Sequence, residues 1–259
     1  MIATRTANRR RRRAIDRVAT GSIVLAGVGV IVPLFAILLF VFVRGLPALN
    51  LALVTQDPGP TGVPGGGVHN AIVGSGVLLA LALAIGLPFA LATGVYLAEY
   101  GRGRIGFTVR FLVDVLAGIP SITIGIFVYT AVVLRMGHFS ALAGGIALAL
   151  IMVPIVARVT EEMLLLVPQT TREASYALGV PKWRTILTIV LPAARSGVMT
   201  GIILATARVA GEAAPLLFTS LGNNFTSRAV FEPIDAMPLV LRCSYFAPDD
   251  AWASTSSLS

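Results

Sequence analysis

Several charged side chains stand at helical spacing inside stretches that are otherwise apolar. Arg208 and Glu212 are four residues apart in Arg208-Val209-Ala210-Gly211-Glu212. An unpaired charge at the centre of a membrane helix costs on the order of 2.5–3.5 kcal/mol on insertion scales. An i,i+4 ion pair offsets part of that cost, and on that reading the two residues are glue within a helix bundle. The alternative is that the charge is held inside the bilayer for use. Arg158, with Glu161 and Glu162 close by, ends another apolar run, either as a second such charge or as an ordinary basic anchor. Asp114 follows Arg110 by four residues, and a local i,i+4 pair is expected there. No group of His, Cys or carboxylates has metal-ligand spacing, and no Ser-His-Asp set can be placed. The sequence therefore offers no catalytic centre, metal or cofactor.

These charges sit on elements that composition assigns to lipid. Charged residues make up 12% of the 259-residue chain and hydrophobic ones 56%, with mean hydropathy +0.87. Globular chains carry about 25% charge, so the deficit argues for a bilayer as solvent. Spanning it takes about 20 mostly apolar residues with every backbone group satisfied internally. Five stretches qualify: Gly21–Val43, Ile72–Leu97, Phe111–Leu134, Leu142–Val159 and Val198–Leu221. The first is long for a signal peptide and lacks a small-x-small cleavage site, so it reads as an anchor that stays. The expected fold is all-α, a polytopic helical membrane bundle.

Charge orients it. With the N-terminus inside, fifteen Arg and Lys residues fall inside, against Arg44, Arg135, Arg228 and Arg242 outside. The positive-inside rule thus places residues 1–20 in the cytoplasm. The run Arg9 to Arg13 abuts a membrane helix, so anionic lipid heads suit it better than nucleic acid. The single cysteine, Cys243, excludes an internal disulfide. Gly86 and Pro88 interrupt span two, and Gly118, Pro120 and Gly125 span three, as kinks, close-packing points or cavity linings. His69 and Asn70 stand at the expected outer mouth, incidental or in reach of a docked protein.

The loop 160–195 has a different character. Thr170 precedes Glu173 in capping-box spacing, predicting a short helix to Leu178 that Gly179 stops. Pro181 opens a second short helix carrying Trp183, Arg184, Ile186, Leu187 and Val190. Two short helices hinged at a glycine are either a knob for a partner groove or an amphipathic hairpin on the inner leaflet.

The run Glu173-Ala174-Ser175, then Gly179, then Ile189-x-Leu191-Pro192 resembles the EAA loop of bacterial ABC importer permeases, with Ser175 where alanine is usual. The resemblance implies docking on an ATP-binding subunit through Glu173, Ala174, Gly179, Trp183 and Arg184. The chain has no G-x-x-x-x-G-K-[ST] phosphate loop, so the ATPase is expected to be another polypeptide.

Three further segments are similar to the PstA-type permeases of phosphate-specific ABC importers: Gly65 to Ser75, Ala117 to Ser121, and Gly211-Glu212-Ala213-Ala214-Pro215-Leu216-Leu217-Phe218-Thr219. That family implies inorganic phosphate as cargo, a PstC-type second permease, two PstB-type ATP-binding subunits and a PstS-type extracytoplasmic phosphate-binding protein. It also implies a multi-pass place in the bacterial cytoplasmic membrane, in contact with lipid. Within it, Arg208 would be the transient counter-charge for a phosphate oxyanion, released when Glu212 recaptures the guanidinium; Arg158 is a second candidate. Arginine suits such a role through its fixed charge and planar fork. One transmembrane domain is expected over 21–252, with its core at 71–221. The family implies six spans where five are visible, and the polar residues 253–259 read as a divergent tail after a truncation. Sulfate or molybdate transport, ion-coupled secondary transport and a membrane scaffold are the alternatives.

Overall fold

The structure is a computed structural model describing residues 3–46, 49–59 and 66–240, with side chains from Ile15 onward. The expected tail at 253–259, the rest of 241–252 and the side chains of the basic run Arg9 to Arg13 lie outside the described residues. The chain divides into two units. One holds α1, Ala3–Gly45, apolar on every face beyond its basic start, as a helix meant for lipid is. The other is Ala52–Trp252 and holds α3 and the helices after it.

The all-helical expectation is met. Alongside α1, three continuous helices are long and apolar enough to span a membrane: α3 (His69–Glu99), α7 (Ala141–Leu165) and the run Lys182–Ala210. The last comprises α9 (Lys182–Thr185), a π-helical turn at Ile186–Val190 and α10 (Leu191–Ala210). The fifth candidate is broken. α4 (Arg104–Gly118) and the run Ser121–Met136 meet at 101°, where a straight span over Phe111–Leu134 was expected. The cause is Pro120, which donates no N–H and drives Ile119 to extended backbone (φ −74°, ψ 131°). Beyond the break, α5 (Ser121–Val128) runs through a π-helical turn at Tyr129–Val133 into α6 (Leu134–Met136). Short α2 (Leu51–Thr55), α8 (Gln169–Ala177) and α11 (Leu216–Thr219) complete the α-helices among the described residues.

α7 is the central helix, and small residues let it be so. On α3, Gly74, Leu78, Ala82, Gly86, Ala90 and Gly94 recur at every fourth position and all are buried. That row lies against α7 with backbones in close approach, the geometry small residues permit in lipid. A Cβ on Gly86 would stand 3.3 Å from the Ala149 Cα, and one on Gly94 would stand 2.7 Å from the Ala157 carbonyl. Gly86 and the continuous helix through Pro88 are therefore packing features, not a break. α10 crosses α7 the opposite way, Gly197 against Met163 and Gly201 against Val159. The N-terminal amides of α7 are satisfied by the returning chain: Ser140 donates to Thr219 O (3.0 Å), Ala141 to Glu232 O (2.9 Å) and Leu142 to Val230 O (2.8 Å).

Gly94→Ala should lower stability by about 1–3 kcal/mol, because its methyl meets backbone on α7. Gly76→Ala, with open space around it, should stay within about 0.5 kcal/mol. Thermal unfolding of the detergent-solubilised protein distinguishes the two, and equal midpoints would contradict this packing.

Candidate functional site

Arg208 lies in the last turn of α10 and Glu212 just beyond its end. The helix stops at Gly211, and Pro215 follows, so the expected span Val198–Leu221 ends early; it also starts early, at Lys182. With no helix joining them, Arg208 and Glu212 do not make the expected i,i+4 pair. Neither side chain forms an ion pair or hydrogen bond with any described residue. Both instead line a cavity of about 280 Å³, together with Leu116 to Ser121, Ile124, Ile151 and Ile155. Ile151 and Ile155 bracket the middle of α7, so the charges sit half-way along the central helix. The break at Ile119-Pro120 lies at the same level.

Arg158 is not among the residues lining this cavity. It belongs to a closed set of four charges between α4 and α7. Its Nε and Nη2 donate to Asp114 Oδ1 at 2.9 and 2.6 Å, and its Nη1 donates to Glu161 Oε2 at 2.8 Å. Arg110 completes the set, with Nε and Nη2 2.9 and 2.5 Å from Glu161 Oε1. The local Arg110–Asp114 pair is thus replaced by an exchange of partners across helices. The exchange serves Glu161, whose side chain is only 3% exposed and which two guanidiniums neutralise. Glu162 is exposed.

The second cluster holds the loop that follows α7. Arg172 is buried, and nothing in its sequence context marks it beyond general basicity. Its Nε and Nη2 donate to Glu99 Oε1 (3.1 and 2.9 Å), while Nη1 and Nη2 donate to Val167 O and Leu164 O, both at 2.7 Å. One side chain so ties α8 to α3 and caps the carbonyls ending α7. Lys182 adds a bond to Glu99 O (2.6 Å) and stands 4.0 Å over the Tyr100 ring. Ser175 and Thr185, both buried, share a hydroxyl bond of 2.8 Å across the glycine turn. Gly179 makes that turn at φ +76°, as expected. Two details differ from expectation. Pro168, not Thr170, precedes α8, with no side-chain cap. The second helix is no separate piece but the start of the run to Ala210, and only residues 166–181 of the expected 160–195 lie outside long helices. Glu173, Ala174, Gly179, Trp183 and Arg184 are all exposed, as is Leu178 at 84%.

At the opposite end, Asn70 is buried and structural, its Nδ2 donating to Asn223 O (2.7 Å) and Asp235 Oδ2 (3.2 Å). Burial raises the Asp235 carboxyl above the ordinary carboxylate range. Its contribution to stability is therefore largest at low pH and declines as pH rises from the ordinary carboxylate value through the raised one. His69 Nδ1 lies 3.0 Å from Val54 O.

Residues 86–241 match the family described as the inner membrane component of binding-protein-dependent transport systems. The phosphate transport system permease protein PstA of Yersinia pestis is 51% identical over 210 residues, covering 81% of this chain and 71% of that one. The Haemophilus influenzae PstA protein is 46% identical over 233 residues, 88% and 82% of the two chains. The chain belongs to the PstA permease family. PstA 1 of Mycobacterium tuberculosis, 40% identical over 246 residues, covers 93% of this chain and 81% of its own. The fold is similar to that of a chain of the MetNI methionine ABC transporter, a protein solved in inward-facing conformations, with TM-score 0.54 and 19% identity over 73% of this chain and 83% of that one. A PstA-family chain with several apolar helices is a multi-pass membrane component with a transport role rather than an enzyme.

Arg172→Ala should free the 166–181 loop, since the 5% exposed Glu99 carboxylate loses its cation. Breaking a buried pair costs about 3–5 kcal/mol. Limited proteolysis should cut this loop faster than in wild type, with Arg172→Lys intermediate; an unchanged rate would contradict the tether.

Proposed function

We propose that the chain is the permease subunit of an ATP-binding-cassette importer that moves inorganic phosphate across the cytoplasmic membrane by alternating access. Membership of the PstA family supports the cargo, because curated relatives of that name are phosphate transport permeases. The observation that carries the reading is Arg208, an arginine without an ionic partner among the described residues, facing a cavity half-way along the central helix. Guanidinium offers five donors and a permanent charge, which suits a tetrahedral oxyanion in transit. Glu212 faces the same cavity. Arg158, paired with Asp114 and Glu161, serves better as a brace between α4 and α7.

Power comes from outside the chain. The exposed face of Glu173, Ala174, Gly179, Trp183 and Arg184 is the docking surface for a PstB-type ATP-binding subunit, two copies serving this chain and a PstC-type permease. ATP hydrolysis belongs to those copies. Pressure on α8 passes through Arg172 and Glu99 to α3, and through Ser175 and Thr185 to the helix that carries Arg208 in its last turn. A PstS-type binding protein delivers phosphate at the opposite end. The N-terminus is cytoplasmic, so the α8 end faces the cytoplasm and the basic residues there satisfy the positive-inside rule. The transmembrane domain covers 21–252.

Arg208→Ala should reduce phosphate uptake by the assembled importer by about a hundredfold or more, the loss of one charge-assisted contact in the path. Arg208→Lys should retain part of it. Uptake of labelled phosphate in proteoliposomes checks this, with membrane assembly confirmed by co-purification; wild-type uptake in Arg208→Ala would contradict the reading.

A further inference from the structure

Arg208 and Glu212 carry opposite charges into one space and leave them apart. Arg208 is donor-only and Glu212 acceptor-only, so their common ligand must both accept and donate. The hydrocarbon part of the wall comes from Leu116, Ile119, Ile124, Ile151 and Ile155. A tetrahedral oxyanion stripped of protons, such as sulfate, presents acceptors in every direction. It satisfies Arg208 but sets lone pairs against the Glu212 carboxylate. Orthophosphate at neutral pH retains at least one O–H, which donates to Glu212 while its charged oxygens accept from Arg208. Ser121 lines the same cavity, and its hydroxyl can serve either kind of oxygen, so it does not discriminate.

We propose that Glu212 is the specificity-determining residue of this cavity, admitting a protonated tetrahedral oxyanion and rejecting one that has no proton to donate. The proposal rests on Arg208 lying in the phosphate path. It gives Glu212 a role independent of any pairing with Arg208. Binding sites built to hydrogen-bond a ligand hydroxyl reject analogues lacking it by factors of roughly 10⁴–10⁵ when fully enclosed, and a cavity open on one side should retain about a hundredfold.

The test uses the purified, fully assembled importer without its external binding protein, so that only the membrane cavity selects. Radiolabelled phosphate should bind at neutral pH, and radiolabelled sulfate should bind at least about a hundredfold more weakly. Glu212→Gln supplies an N–H donor toward sulfate, and the phosphate-over-sulfate ratio should fall about a hundredfold. Glu212→Asp keeps the acceptor and should keep the preference. On the wild type, monofluorophosphate has the shape of phosphate but no O–H at neutral pH, and it should compete as poorly as sulfate. A ratio in Glu212→Gln close to wild type, a loss of preference in Glu212→Asp equal to that in Glu212→Gln, or monofluorophosphate competing as well as phosphate would each overturn the proposal. Phosphate binding unchanged by Arg208→Ala would instead remove the path on which it rests.

Discussion

A charge at lipid depth must be compensated, and the structure is organised around how each one is. Arg110, Asp114, Arg158 and Glu161 cancel one another in a closed set with no net charge, and Glu99 and Arg172 do the same at the end of α3. Each removes several kcal/mol of desolvation that a lone ion would impose. Arg208 stands outside these arrangements although it sits level with the middle of α7. Its side chain is exposed and lines the cavity beside Glu212, with no carboxylate paired to it among the described residues.

The cavity exists because two helices stop at the same depth. Pro120 turns the chain by 101° between α4 and α5, and Gly211 ends α10 one turn after the bundle's mid-level. Broken backbone at this depth is tolerated where it lines a cavity or is buried in protein. The straight helices provide that protein. The row of small residues on α3 brings its backbone onto α7, and Gly125 lets α5 approach Pro215, where an added Cβ would stand 2.7 Å from its Cα. The close-packed half of the bundle thus holds the broken half in place.

Much of this was legible in the sequence, for physical reasons that also explain the misses. Apolar runs long enough to cross a bilayer are a strong signal: α3 differs from expectation by three residues at most, while α7 runs six residues past its expected end. Hydropathy does not distinguish a straight span from a broken one, so the bend at Pro120 and the early end at Gly211 went unplaced although both residues stood out. Local spacing suggested Arg110–Asp114 and Arg208–Glu212 pairs. In the fold, one pair exchanges partners across helices and the other is opened by the helix end, because tertiary contacts outweigh an i,i+4 pair of a few tenths of a kcal/mol. The five residues that the EAA-loop resemblance implies for docking are all exposed. Arg172, which fastens that loop, reads from sequence as one more basic residue, since Glu99 lies far away along the chain.

The loop and the cavity are joined by one continuous helix, Lys182–Ala210, anchored at its start by Thr185 and Lys182 and carrying Arg208 in its last turn. A push at one end is therefore delivered at the other without an intervening hinge, save the π-helical turn at Ile186–Val190. The central claim is that Arg208 faces an accessible, anion-filled space. Cys243 is the only cysteine, so a Cys243→Ala background makes Ser121→Cys a single reporter on the cavity wall. In the assembled importer a water-soluble thiol reagent should modify Ser121→Cys, phosphate should slow the reaction, and adding Arg208→Ala should abolish that protection. A cysteine at this position that stays unmodified throughout the ATP cycle, or protection that persists without Arg208, would contradict the account.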